Sequence, residues 1–197
     1  RDGYLELSSG TEDGAFGIFT AEPRSTFKEC AWLSNMLPRD PGAATWAFKN
    51  LTGVGADTFT ATERSTIEGY NGNHYVAEAG VGITRPGQSF GGKFLDLVRG
   101  QHWLEARLQE RLFAALVNNP KIPYTDAGMS IIQAEVEAQL REGESRGFIA
   151  PGWSVTVPPV ADQATADRAA RIVRNVEFTA TLQGAVHSIN IVGTVTV

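Results

Sequence analysis

The chain has 197 residues, of which 42% are hydrophobic, 9% aromatic and 20% charged, enough for a buried core and one to two domains. A net charge of −5 with no basic block argues against a nucleic-acid or anionic-membrane surface, and 21 Gly with 9 Pro point to turns and strands rather than disorder. Cys30 is the single cysteine, which excludes an internal disulfide and a Cys-only zinc site, and no apolar run approaches the roughly 20 residues of a membrane span.

The sequence opens Arg1-Asp2-Gly3, without an initiator Met or a signal-peptide pattern, as expected of a piece of a longer protein. Gly14 to Ala21 reads as a strand. Ser25 to Leu37, with Phe27, Trp32, Leu33 and Leu37, reads as a short helix stopped by Pro38. After the Asp40-Pro41-Gly42 turn, Thr45 to Leu51 alternates and predicts a strand. Glu63 to Tyr70 predicts a helix, and His74–Ala77 and Val81–Thr84 predict two short strands.

The pattern changes at Pro86-Gly87. From Lys93 to Asn118 the period is helical, with Leu97, Leu104, Leu108, Leu112 and Leu116 on one stripe and Phe94, Trp103, Phe113 and Val117 beside it. A second helix follows a cap at Thr125 or Asp126, buries Met129, Ile132, Val136 and Leu140, and ends at Gly143 or Gly147. Trp153–Val157 and Val176–Leu182 alternate as strands, and the pattern resumes from Ser188 to Val197.

Few residues carry chemistry. Gly87-Gln88-Ser89-Phe90-Gly91-Gly92-Lys93 has the spacing of a phosphate-binding loop, but Phe94 stands where Ser or Thr would hold magnesium. A glycine-rich turn into a helix is the plainer reading, with a nucleotide-binding enzyme as the alternative. His74, His102 and His187 lie in separate segments, without metal-ligand spacing. Cys30 lacks an evident activating base, and Glu135 and Glu137 do not face each other on a helix. Arg168, Arg171 and Arg174 recur every third residue: either a solvated turn or a contact with acidic residues of a neighbouring copy.

Several runs carry a resemblance. Gly92-Lys93-Phe94-Leu95-Asp96-Leu97-Val98-Arg99-Gly100 with Trp103-Leu104 and Leu108-Gln109, then Ile122-Pro123-Tyr124-Thr125-Asp126-Ala127-Gly128, resemble tail sheath proteins of contractile-tailed bacteriophages. The ending, Val176 to Val195, is the most specific element, and Thr45–Leu51 with Gly53-Val54 and Asn71–Val76 fit the same family. The match covers roughly residues 45 to 197 and is nearest to a divergent branch of the family.

The resemblance implies an α+β fold: a conserved C-terminal sheath domain, residues 86–197, with a mixed sheet and two main helices, preceded by part of an α/β domain, residues 1–85. It implies a structural, non-enzymatic subunit without cofactors. Such a subunit assembles in the bacterial host cytoplasm and resides in the virion tail. Its partners are further copies of itself, a tail tube protein, and the baseplate and tail terminator; the isolated piece is expected to be a monomer. The family's terminal arms pair as extra strands with sheets of neighbouring subunits. The stretch from Ser188 onward suits that task, because it has no Lys, Arg, Glu, Asp or Pro to blunt a strand edge. Ser188, Ile189, Asn190, Ile191, Val192, Thr194 and Val195 are therefore the expected subunit interface, with Arg168, Arg171 and Arg174.

Overall fold

The computed structural model describes residues 13–21, 26–190 and 192–193. The architecture is α+β, as the sequence predicts, and it divides into two compact units. The first draws on the described residues up to Arg39, on Ala44–Asp96 and on those from Gly184 onward; the second comprises Asp40–Ala43 and Leu97–Gln183.

The first unit holds strand β1 (Ile18–Phe19), helix α1 (Lys28–Met36), helix α2 (Ala61–Gly69) and strands β2 (Asn73–Glu78) and β3 (Val81–Arg85). These strands form a mixed sheet in the order β1-β2-β3, with β1 parallel and β3 antiparallel to β2. A two-residue turn joins β2 to β3, and both Ala79 (φ 49°) and Gly80 (φ 82°) are left-handed, the twist that suits a tight hairpin. Thr60 caps α2 reciprocally with Glu63: its hydroxyl accepts from the Glu63 N–H, and the Glu63 carboxylate accepts from the Thr60 N–H.

Trp32, Trp46, Met36, Leu51 and Tyr75 form the centre of this unit's core. Phe16, Trp32 and Trp46 meet edge to face at 5.1–5.6 Å between ring centroids. The Trp32 indole N–H donates to the Trp46 carbonyl at 3.1 Å, so its one polar atom is satisfied although the side chain is fully buried. Thr45–Leu51 is not a strand, contrary to its alternation. Phe48 sits at φ 57°, a left-handed kink that ends any extended run, and the backbone–backbone bonds to β3 that remain are those of Phe48 and Lys49 with Thr84.

His74 is fully buried on β2, sharing a 2.9 Å bond through Nε2 with Glu68, while its Nδ1 has no partner among the described residues. Burial lowers its pKa, and Glu68 only partly opposes this. The unfolded chain therefore takes up this proton at a higher pH than the folded one. Stability should be complete above an ordinary imidazole pKa of about 6.5 and fall as pH drops below it. Melting temperature is expected to decline between pH 7 and pH 5, and His74→Gln should flatten that decline; parallel profiles for the two proteins would contradict this role.

The second unit is built on helices α3 (Leu95–Asn118, entering from the first unit) and α4 (Asp126–Ser145). Thr125 caps α4 by accepting from the Gly128 N–H. Gly128 admits no side chain, because a Cβ there would strike the Pro123 carbonyl. Of the two predicted helix ends Gly147 is the right one, left-handed at φ 72°, while Gly143 lies within α4 where Ile149 packs on it. Strands β4 (Ser154–Thr156) and β5 (Glu177–Thr179) pair antiparallel, and a bridge between Ile149 and Leu182 extends the contact. A 3-10 turn at Val160–Asp162 and helix α5 (Thr165–Ala170) lie between them. The mixed sheet thus belongs to the first unit, and the two-helix unit carries an antiparallel ribbon.

The core of this unit is Leu104, Val136, Leu140, Phe148 and Ile149. Beside it the Arg111 guanidinium of α3 donates to Gln139 (2.6 Å) and Glu142 (2.8 Å) of α4, and Arg146 also reaches Glu142 at 2.9 Å. The Arg111 hydrogen bond, with that of Arg146, holds the Glu142 carboxyl below its ordinary pKa. The apolar stripe predicted for α3 is covered as far as Leu112, whereas Phe113, Leu116 and Val117 in its last turns are 64–68% exposed. Periodicity placed Leu116 in the core; it is 65% exposed, and of the last two turns Ala115 is the residue the fold buries.

Candidate assembly surfaces

The C-terminal segment begins where β5 and the Leu182 bridge end. From Gly184 to Asn190 the chain belongs to no strand, although its sequence alternates. The strand predicted from Ser188 is therefore not formed over Ser188–Asn190 or Val192–Gly193; Ile191, Thr194 and Val195 lie outside the described residues. The physical reason is the absence of a partner. A strand is stabilised by a neighbouring ladder, and no described strand of the chain lies alongside this one.

One residue anchors the segment. His187 shares a 2.9 Å hydrogen bond with the Thr45 hydroxyl and meets the Phe48 and Phe94 rings edge-on at 5.5 and 4.7 Å. His187 is thus a packing residue here. On either side of the anchor Val186, Ile189 and Val192 are 74%, 79% and 90% exposed. These are three exposed β-branched side chains on a backbone without strand partners among the described residues. Full burial of each would stabilise a complex by about 1.5–3 kcal/mol.

The three arginines separate in space. Arg174 donates to Asp167 at 2.8 Å, and that bond raises its already high pKa. Arg168 lies in α5, and Arg171 closes that helix in a left-handed conformation at φ 59°. Arg168 and Arg171, but not Arg174, line a cavity shared with Lys121. Lys121 sits in the α3–α4 loop, and no periodic pattern connects it to the arginines, so sequence reasoning missed it.

The glycine-rich loop forms no phosphate cradle. The Asn73 side-chain oxygen accepts from the N–H groups of Gly87 (2.9 Å) and Gln88 (2.8 Å), and its amide donates to Gly17 and Gln88 carbonyls. The N–H groups of Ser89, Phe90 and Gly92 donate to carbonyls of Lys93, Ala15 and Ser89. Lys93 is engaged with Asp13 at 2.6 Å. Five of the loop's backbone donors, and its lysine, are thus engaged inside the fold rather than turned to a phosphate. Among the described residues no group of three or more His, Cys, Asp or Glu is placed to hold a metal ion, and no helix is long and apolar enough to cross a membrane.

Residues 95–157 match the family model for the C-terminal domain of the E217 tail sheath protein gp31-like proteins. That stretch is tail-sheath-like, and it coincides with the two helices and the first strand of the second unit. Among solved structures the chain is similar in fold to one in the cryo-EM structure of the anti-feeding prophage (AFP) baseplate, 6-fold symmetrised. The TM-score is 0.59 at 12% identity, over 84% of this chain and 48% of the other. The chain thus spans about half the length of that structural neighbour. No curated protein matches the sequence.

Proposed function

We propose that this chain is part of the structural subunit of a contractile phage tail sheath, which polymerises helically around a tail tube and contracts to drive the tube through the host envelope. The tail-sheath-like match over the second unit and the shared fold with a chain of a phage-derived baseplate support a phage tail-type structural role. The observation that supports the finer reading is the C-terminal segment, rich in apolar residues, without Lys, Arg, Asp or Glu, and without a strand partner among the described residues.

In this reading a neighbouring copy supplies the missing ladder. A strand of about ten residues spans roughly 30 Å, and each backbone hydrogen bond contributes about 1 kcal/mol net. A helical lattice repeats the linkage for every subunit. The result holds firmly along the tail yet lets folded bodies tilt and slide. Contraction is then a rearrangement of rigid units with the strand links preserved, driven by the free-energy difference between two lattices rather than by a bound fuel. Tube, baseplate and terminator proteins are the remaining partners, and the particle is the site of action.

The test is negative-stain microscopy of the full-length protein, in which tubes are expected. A protein that stays dispersed at every concentration would contradict the proposal. The baseplate similarity also favours a second setting, the sheath of a phage-derived particle such as a tailocin or secretion apparatus. Tails isolated with a DNA-filled head would separate the first setting from the second.

A further inference from the structure

A cavity of about 420 Å³ opens in the second unit between the end of α3, the loop before α4, and the turn after α5. Lys121, Arg168 and Arg171 line it, and no carboxylate does. None of the three has an ion pair among the described residues, whereas neighbouring Arg174 is held by Asp167. The walls are apolar, including Ile122, Met129 and Ile132, and Leu116 reaches in from the exposed end of α3. Arg171 closes α5 in a left-handed conformation at φ 59°, which glycine adopts without strain.

A small free anion would neutralise these cations but leave Leu116 and its helix neighbours Phe113 and Val117 in water. The occupant must bring negative charge and apolar side chains together. Of the stretches outside the described fold, residues 22–25 and 194–197 lack that combination, and residues 1–12 have it: Asp2, Glu6 and Glu12 interleaved with Tyr4, Leu5 and Leu7. In an extended segment Asp2, Tyr4 and Glu6 share one side, while Leu5 and Leu7 share the other.

We propose that this cavity is a docking site for residues 1–12 of a second copy of the chain, a contact additional to the C-terminal strand and resting on the reading that copies assemble. The acidic side faces Lys121, Arg168 and Arg171, and the leucines cover the exposed end of α3. The contact is weak by itself and is reinforced by repetition in the lattice.

The probe is a fluorescein-labelled peptide of residues 1–12, titrated with the full chain and followed by anisotropy. Saturable binding is expected, weakening about tenfold from low to high salt. Arg171→Gly should weaken binding about threefold while leaving the melting temperature equal or higher, because glycine relieves the left-handed backbone. The double variant Arg168→Glu with Arg171→Glu should weaken it about tenfold or more, and a peptide carrying Asp2→Lys, Glu6→Lys and Glu12→Lys should bind that variant better than the natural peptide does. No saturable binding, salt-independent binding, or undiminished binding by the double variant would overturn the proposal. Tubes from the full-length protein without this peptide affinity would remove the docking site alone; affinity without tubes would remove the assembly reading alone.

Discussion

Replacing Phe148 by alanine is expected to unfold the second unit, with a loss of about 3–5 kcal/mol. The side chain is fully buried, and the backbone comes close to it on two sides. A Cβ at either Gly42 or Gly100 would run into its ring. Glycines have no side chains to move into the vacated space, so the cavity left by truncation cannot collapse, which is the condition for the upper end of the range. Phe148 also joins the helices to the ribbon: its N–H donates to Gly143 of α4 at 3.0 Å, and its carbonyl accepts from Gln183 at 2.8 Å. Chemical denaturation followed through Trp103 and Trp153, both packed in this unit, measures the effect. Phe148→Leu, which keeps most of the volume, should lose much less. A loss below about 1 kcal/mol for the alanine variant would show that the ring is not a centre of the core.

Truncation of the full-length protein before Ser188 is expected to abolish tube formation while leaving both units folded. The deletion removes Ile189 and Val192, which are 79% and 90% exposed, so little buried apolar contact is lost within the described fold. It leaves His187 and its contacts with Thr45, Phe48 and Phe94 in place. Folding and polymerisation therefore separate: circular dichroism and melting temperature should be close to those of the intact protein, and electron microscopy should show dispersed particles. If the truncated protein still builds tubes of normal length, the strand linkage is wrong.

The sequence revealed most where one local pattern decides the outcome. The long helices α3 and α4 follow from sustained apolar stripes, the start of α4 from its Thr125 cap, and β2 with β3 from two short apolar runs around a turn. Patterns failed where the deciding contact is distant. Thr45–Leu51 alternates like a strand, yet Phe48 adopts a left-handed φ and the backbone ladder to β3 does not extend beyond Phe48 and Lys49 at Thr84. Asn73, which reads as an ordinary turn residue, ties together Gly17, Gly87 and Gln88 with four hydrogen bonds. That arrangement consumes the loop that alone looked like an enzyme's. The arginine periodicity was visible, but its division between an internal bond to Asp167 and a cavity shared with Lys121 depends on how α5 lies against the α3–α4 loop. The C-terminal run has strand composition but no strand among its described residues, and no described strand lies alongside it to supply a ladder.

Hydrogen exchange of the amides from Val186 to Gly193, in the isolated chain and in assembled tubes of the full-length protein, tests that last point most directly. Rapid exchange is expected in the isolated chain and strong protection in the tubes, with the alternating depth of protection that a strand paired along one edge produces. Equally fast exchange in both states, or protection already present in the isolated chain, would contradict it.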